Sequence, residues 1–406
     1  MSDNAWSKLR KIEAELNRIF YEREDVIRGL LIGLISRQHV IILGPPGEGK
    51  TDIITELCSR IVDANFFHRL VGKTSTPEDF AGPVSVKKYL EEESYEYAIK
   101  GKLPEANVAF LDEIFKGNTA VLNLQLDVME YRRFFNGAET VKVPLHMLVG
   151  ASNELPEDGE GLEALWDRFS LRYTVRPIIS DKNFEQLLLG ADGLGSAKSE
   201  NTRTTITLAE VEQLQREVRA VKFGQAGANL LLQTRQAMKE LKLLISTRKY
   251  ARQAVVLMKA HALLDGRDEV DNTDLSILSH CFWNEEDQYK VIAKAIRKLS
   301  KSMNDEAFEL RDASIEAFAA FLDADKALKE NDTDQNRRKK QDVARETNKK
   351  LKGAMDTITQ LIEQAKAGGR STDNLQQVWD HINSMNASVV NYFLGWDTSK
   401  DYKMRL

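Results

Sequence analysis

The stretch Ile41-Ile42-Leu43-Gly44-Pro45-Pro46-Gly47-Glu48-Gly49-Lys50-Thr51 constrains the fold of this chain more than any other. The apolar run from His39 to Leu43 predicts a buried strand, and Thr51 to Ile61 predicts a helix. The loop between them therefore ends at a helix N-terminus, where backbone N–H groups converge on anionic oxygen. Gly44, Gly47 and Gly49 leave no Cβ in the way of a polyphosphate. Pro45, Pro46 and Glu48 complete the loop, Lys50 is placed to reach the β- and γ-phosphates, and Thr51 offers a hydroxyl to Mg²⁺. Glu48 would repel phosphate, so its side chain is expected to point away from the nucleotide.

Val108-Ala109-Phe110-Leu111-Asp112-Glu113 is a second apolar run, and it ends in two acids. It predicts a buried strand with carboxylates at its C-terminal tip, where open α/β sheets bind ligands. Asp112 would hold Mg²⁺ through its water shell, and Glu113 would polarise an attacking water. A third such run, Leu145 to Asn153, ends in an amide able to position that water, which makes Asn153 a candidate. Leu165-Trp166-Asp167-Arg168-Phe169 follows as an acid–arginine pair in a predicted helix.

In this order the motifs resemble those of the AAA+ ATPases, and within them the MoxR family, in particular the branch typified by the regulatory ATPase variant A. The likeness rests on Gly44 to Thr51, Ser75 to Pro83, Leu103 to Ala106, Phe110 to Ile114, Ala151 to Pro156 and Leu165 to Phe169, with weaker matches at Ser246 to Lys249 and His261 to Val270. It implies an oligomeric ring, a hexamer, that hydrolyses ATP with Mg²⁺ and remodels or matures a protein client in a chaperone-like way. A partner bearing a von Willebrand factor A domain is implied by the family alone. The resemblance makes Arg168, or else Arg172 one turn on, the finger that enters a neighbouring subunit's site. It makes Arg248 a sensor of the γ-phosphate in its own subunit's site. It also places the segment before Ile27 against adenine, with Phe20, Arg23 and Ile27 as contacts.

Two inserted stretches are expected to form hairpins, which the resemblance to ring ATPases turns toward the pore or substrate face. Val84 to Ile99 alternates around the acidic residues Glu91 to Glu93, and Tyr131 to Val143 contains Asn136-Gly137, a pair favoured in two-residue turns. Lys87, Lys88, Tyr89, Arg132 and Arg133 are their candidate client contacts.

The expected architecture is an α/β three-layer P-loop core with a parallel sheet over 1–190, an all-α lid over 206–299 and a C-terminal helical bundle or coil over 300–406. The polar stretch from Gly190 to Thr205 is the expected linker. Apolar stripes at Phe308, Ile315, Phe318 and Leu322, at Met355, Ile358, Leu361 and Ile362, and at Leu375, Val378, Ile382 and Met385 suit helix packing. The basic run within 336–352 is interspersed with acids and suits a solvated helix face. Gly353 would interrupt that helix only mildly.

The chain of 406 residues carries a formal net charge of −5, which gives no global attraction to nucleic acid. A nucleic-acid motor or loader is thus the weaker alternative, and a nucleotide-gated scaffold with slow hydrolysis is another. No apolar stretch of about 20 residues is present to span a bilayer, and the N-terminus lacks a signal-peptide pattern, so the expected location is cytoplasmic. Cys58 and Cys281 fit small core residues rather than a disulfide framework, and the six histidines show no paired metal spacing.

Overall fold

The computed structural model describes residues 4–156, 161–189, 203–300, 303–367 and 372–393. They belong to two compact units, residues 1–299 and 300–406. The expected linker lies largely outside the described residues.

The first unit opens with helices α1 (Ala5–Ile19) and α2 (Glu24–Ser36), followed by strand β1 (His39–Leu43) and α3 (Lys50–Cys58). Next come β2 (Ile61–Val62), β3 (Phe66–Leu70), α4 (Pro77–Ala81), α5 (Val86–Glu92), β4 (Val108–Asp112) and α6 (Thr119–Tyr131). The core closes with β5 (Arg133–Asn136), β6 (Glu139–Lys142), β7 (Met147–Ser152), α7 (Glu163–Arg168), β8 (Phe169–Thr174) and α8 (Asp181–Leu189).

Five strands make one parallel sheet in the order β3-β4-β7-β1-β8. Every residue of β1 and β7 is buried, as expected of central strands covered by helices on both faces. Because β4, β7 and β1 are neighbours, the residues at and just after their carboxyl ends lie side by side. Those residues are Asp112-Glu113, Asn153 and the glycine loop.

One of the two expected hairpins is not a hairpin. Val84 and Tyr97 form an antiparallel bridge, but Val86–Glu92 between them is α5. Ser85 caps that helix by accepting from the Lys88 N–H, a local bond that competes with strand pairing. The second hairpin is β5–β6, with its turn one residue later than expected. Asn136 pairs with Glu139, which leaves Gly137-Ala138 as the turn, with Gly137 at φ 62°. The Asn136 amide is already engaged with the backbone of Tyr97, accepting at 2.6 Å and donating at 3.2 Å. Arg132 is no client contact: its guanidinium turns inward to the carbonyls of Leu145 and Arg37, each at 3.1 Å or less. Lys88 is ion-paired with Glu96.

Strand β9 (Ile206–Thr207) pairs with β2, and α9 (Leu208–Ala220) packs on α1 and α2. Residues 206–220 are thus bound to the core's helical flank. Helices α10 (Gly224–Glu240), α11 (Val255–Leu264) and α12 (Glu286–Ser300) follow, with a π-helical stretch at Lys249–Ala254 and a 3-10 stretch at Asn272–His280. His261, Asp265 and Asp274 converge, a grouping that sequence spacing does not show. Arginines neutralise the two acids: Arg267 bonds Asp274, and Arg28, which also reaches Glu13 at 2.9 Å, bonds Asp265. This knot ties α1 and α2 to α11.

The second unit contains three helices, α13 (Met303–Glu330), α14 (Asp334–Ala367) and α15 (Asp373–Phe393). Ile358, Leu361, Leu375, Val378, Ile382 and Met385 are buried as their stripes predict. On α13 the inward face is rotated: Ala307, Ser314, Phe318 and Phe321 are buried, whereas Ile315 and Leu322 are exposed. Thr347 Oγ1 of α14 donates to the Ala317 carbonyl of α13 at 3.1 Å. The basic run is not all solvated, since Lys340 is buried, ion-paired with Asp325 and 3.9 Å from the Tyr392 ring centroid. Helix α14 passes through Gly353 unbroken.

Candidate active site

The glycine loop adopts the backbone that its sequence requires. Gly44 has φ 146°, and a Cβ there would meet the Val175 carbonyl oxygen at 2.5 Å. Glu48 does turn aside: its carboxylate accepts from Arg23 Nη2 at 3.2 Å, and the same Arg23 nitrogen donates to the Arg176 carbonyl at 2.8 Å. The repulsion expected of an acid beside phosphate is therefore balanced by a buried cation.

Lys50 is buried, and its ammonium donates to the carbonyls of Gly44 and Pro45 and to Asn153 Oδ1, the last two at 2.9 Å. Burial lowers the Lys50 pKa, against the opposing pull of Asp112, Glu113 and Glu48. The Asn153 amide reaches on to Glu113, donating to Oε1 at 2.6 Å. One side chain thus connects the loop lysine to the carboxylate proposed to activate water. Glu113 sits in the left-handed backbone region at φ 53°, unusual for a non-glycine residue, and Lys116 Nζ lies 3.1 Å from its Oε2. Thr51 is the second residue of α3, and Asp112 ends β4, its Oδ1 accepting from the Glu113 N–H at 3.0 Å. A hydroxyl and a carboxylate beside a lysine form a hard-oxygen donor set that suits Mg²⁺.

A cavity of about 290 Å³ adjoins the loop, lined by Arg23, Asp25, Tyr173, Val175, His280 and Tyr289 among others. Of the three residues expected against adenine, only Arg23 lines it. Phe20 and Ile27 are core residues.

The two arginines are brought together. Arg168 Nε lies 2.7 Å from Glu130 Oε2, and Arg248 donates to the other oxygen of the same carboxylate. Burial would raise the Glu130 pKa, but the Arg248 hydrogen bond and the charges of Arg168, Arg248 and Arg252 outweigh it and lower it. Lys249 Nζ lies 3.2 Å from Asp167 beside them. A larger cavity, about 590 Å³, opens next to this group between Trp166, Asp167, Ser246 and Lys249. Among the described residues, the polar side-chain contacts of Arg168 and Arg248 are with Glu130 and Asp167, not with the phosphate loop. The finger candidate and the sensor candidate thus share one carboxylate.

Arg172, the other finger candidate, is wholly buried and bonds the carbonyls of Phe169, Trp166 and Trp283 and the Asn284 side chain. It cannot reach another subunit. Glu130 has no motif around it, and sequence reading passes over it. Its partners Arg168 and Arg248 lie far along the chain, the second 118 residues away.

A model for the MoxR domain in the MoxR-vWA-beta-propeller ternary systems matches residues 7–216, and one for an AAA lid domain matches 228–296. Two uncharacterized proteins of Methanocaldococcus jannaschii are similar. One is 34% identical over 304 residues, 75% of this chain and 79% of the relative, and the other 35% over 289 residues, 71% and 73%. The chaperone MoxR1 of Mycobacterium tuberculosis is 30% identical over 165 residues, 40% of this chain and 42% of that protein. A crystal structure of a candidate ATPase from Cytophaga hutchinsonii superposes with a TM-score of 0.58 at 17% identity, covering 72% of this chain and 94% of that one, a likeness of fold. These matches do not single out the regulatory ATPase variant A branch. Matched through its nucleotide-binding half and its lid, the chain belongs to the MoxR family of AAA+ ATPases.

Proposed function

We propose that this protein hydrolyses ATP with Mg²⁺ in a hexameric cytoplasmic ring and uses the cycle to remodel a protein client, together with a partner bearing a von Willebrand factor A domain. Residues 1–190 serve as the nucleotide core, 206–299 as the lid and 300–406 as the assembly or partner-binding region. Lys50 and the backbone of the glycine loop bind the polyphosphate, and the adenine occupies the cavity beside Arg23. Thr51 and Asp112 would hold Mg²⁺, which when bound neutralises charge developing on the phosphate oxygens. Glu113, held by Asn153, takes the proton of the attacking water. The exposed side chains Tyr89 and Leu90 of α5, Tyr95 after it and Phe135 of the hairpin offer the client an apolar surface.

The observation that carries this reading is the separation of two half-sites. Lys50, Asn153 and Glu113 form one connected group, and Arg168 with Arg248 forms another, ion-paired among the described residues with Glu130 and Asp167. The first group carries the phosphate loop and the general base, and the second carries two arginines gathered on a carboxylate outside that loop, so an adjacent subunit would complete each site, with both arginines serving the neighbour. An arginine finger is worth ~10³–10⁵ in rate where it acts on nucleotide hydrolysis. ATP turnover should therefore rise with protein concentration as oligomer mass rises. Glu113→Gln and Arg168→Ala should assemble and bind ATP yet turn over poorly, and a mixture of the two should regain activity at the junctions that pair an intact Glu113 with an intact Arg168. Turnover per subunit that is independent of assembly would overturn the reading.

A further inference from the structure

Two guanidinium groups rarely share a place without an anion to hold them. In water-excluded surroundings their mutual repulsion is several-fold stronger than in bulk solvent. Here the anion is Glu130, on the last turn of α6, with one carboxylate oxygen toward Arg168 of α7 and the other toward Arg248 of the lid. Its side chain is 16% exposed, against 23% for Arg168 and 41% for Arg248. The carboxylate is thus the inner member of the group, and the arginines are the outer ones. Arg168 Nε lies 2.7 Å from Glu130 Oε2 as a charge pair without hydrogen-bond geometry, and its Nη1 is 3.9 Å from Asp167. Among the described residues Arg168, Arg248 and Lys249 ion-pair with Glu130 and Asp167, Arg252 adds its charge near Glu130, and Glu163 and Glu285 line the cavity beside them.

We propose that Glu130 is a positioning residue that holds Arg168 and Arg248 as a pair facing one ligand, the terminal phosphate of the adjacent subunit's nucleotide, and thereby makes lid position a condition of catalysis. This rests on the reading that both arginines act on a neighbour. Glu130 does not touch the nucleotide; it acts by fixing the direction of the core arginine and by tying the lid arginine to it. If the lid swings away, Arg248 leaves and Arg168 loses the shared counter-ion geometry at the same time.

Glu130→Gln tests this in the full chain. The amide keeps the size, removes the charge and puts a donor against one of the two arginines. The expected result is an oligomer of wild-type mass, an ATP KM within about twofold of wild type and a kcat lowered by roughly 10- to 100-fold, the loss typical of misplacing a catalytic group. In the Arg168→Ala/Arg248→Ala background, Glu130→Gln should cost nothing further, because a residue that acts through the arginines has nothing left to position. Glu130→Asp, which restores the charge, should recover part of the rate, and it serves as the second variant if the amide fails to assemble. If Arg168→Ala and Arg248→Ala lose turnover while Glu130→Gln does not, the positioning role falls alone. A full further loss in the double-arginine background also overturns it, since that would mark Glu130 as acting independently. If the arginine variants keep wild-type turnover, the neighbour-site reading falls and takes this role with it.

Discussion

Arg168 ends α7 and Arg172 lies on strand β8 rather than one helical turn on, and their substitution should have opposite consequences. Arg172 is fully buried, with its guanidinium carbon 4.4 Å above the Trp166 ring centroid. It donates to Phe169 O at 3.2 Å, Trp166 O at 3.1 Å, Asn284 Oδ1 at 2.7 Å and the Trp283 carbonyl. In Arg172→Ala these four acceptors lose their donor, each at a cost of about 1–3 kcal/mol if it stays dry. The released burial of a cation, whose pKa desolvation has pushed down to about 10, offsets part of that sum. The net should resemble other broken buried charge networks, about 3–5 kcal/mol. For a unit of this size that is a fall in melting temperature of roughly 10 °C. Arg168 is partly exposed, and its ion pair with Glu130 is worth at most about 1 kcal/mol to stability. Arg168→Ala should therefore melt within about 2–4 °C of wild type while losing most turnover. Differential scanning fluorimetry beside an ATPase assay separates the cases. Were Arg172→Ala to melt like wild type yet fail to hydrolyse ATP, the structural role given to Arg172 would be refuted and the finger would have to be sought there.

Gly44→Ala should fold but lose nucleotide affinity, measured with a fluorescent ATP analogue, because its new Cβ would lie 2.5 Å from the Val175 carbonyl and its φ of 146° disfavours any side chain; unchanged affinity would show that the loop is not the phosphate site. Acid should weaken the fold well before the carboxylates titrate. His39 is buried, its Nδ1 accepting from the Leu148 N–H at 2.9 Å, and burial together with nearby Arg132 depresses its pKa well below 6.5. The unfolded chain binds a proton below about pH 6.5 where the native His39 does not, so the stability is present above that pH and is lost as pH falls, by up to ~1.4 kcal/mol per pH unit for each such group. His146 and His280 are depressed in the same direction, chiefly by burial. A melting temperature that stays flat from pH 7.5 to 5.5 would contradict this.

What the residues themselves determined is local. The strands β1, β4 and β7, the loop and the residues at their tips occupy contiguous stretches, so hydrophobic runs and glycine chemistry suffice to place them. The same holds for the stripes of α14 and α15, whereas on α13 the expected Ile315 and Leu322 are exposed. Sequence could not decide between Arg168 and Arg172, because exposure depends on what packs over each, and here Trp283 and Asn284 from the lid cover the second. It misjudged Val86–Glu92, since short alternating segments satisfy strand and helix patterns alike and a single serine cap tips the balance. It could not find Glu130 or foresee that Arg248 joins Arg168, because the Glu130–Arg248 contact that joins them spans 118 residues and belongs to the docking of lid on core. Chemistry carried by neighbouring residues is written in the chain, whereas chemistry assembled from distant elements exists only once burial has chosen which charges must share a place.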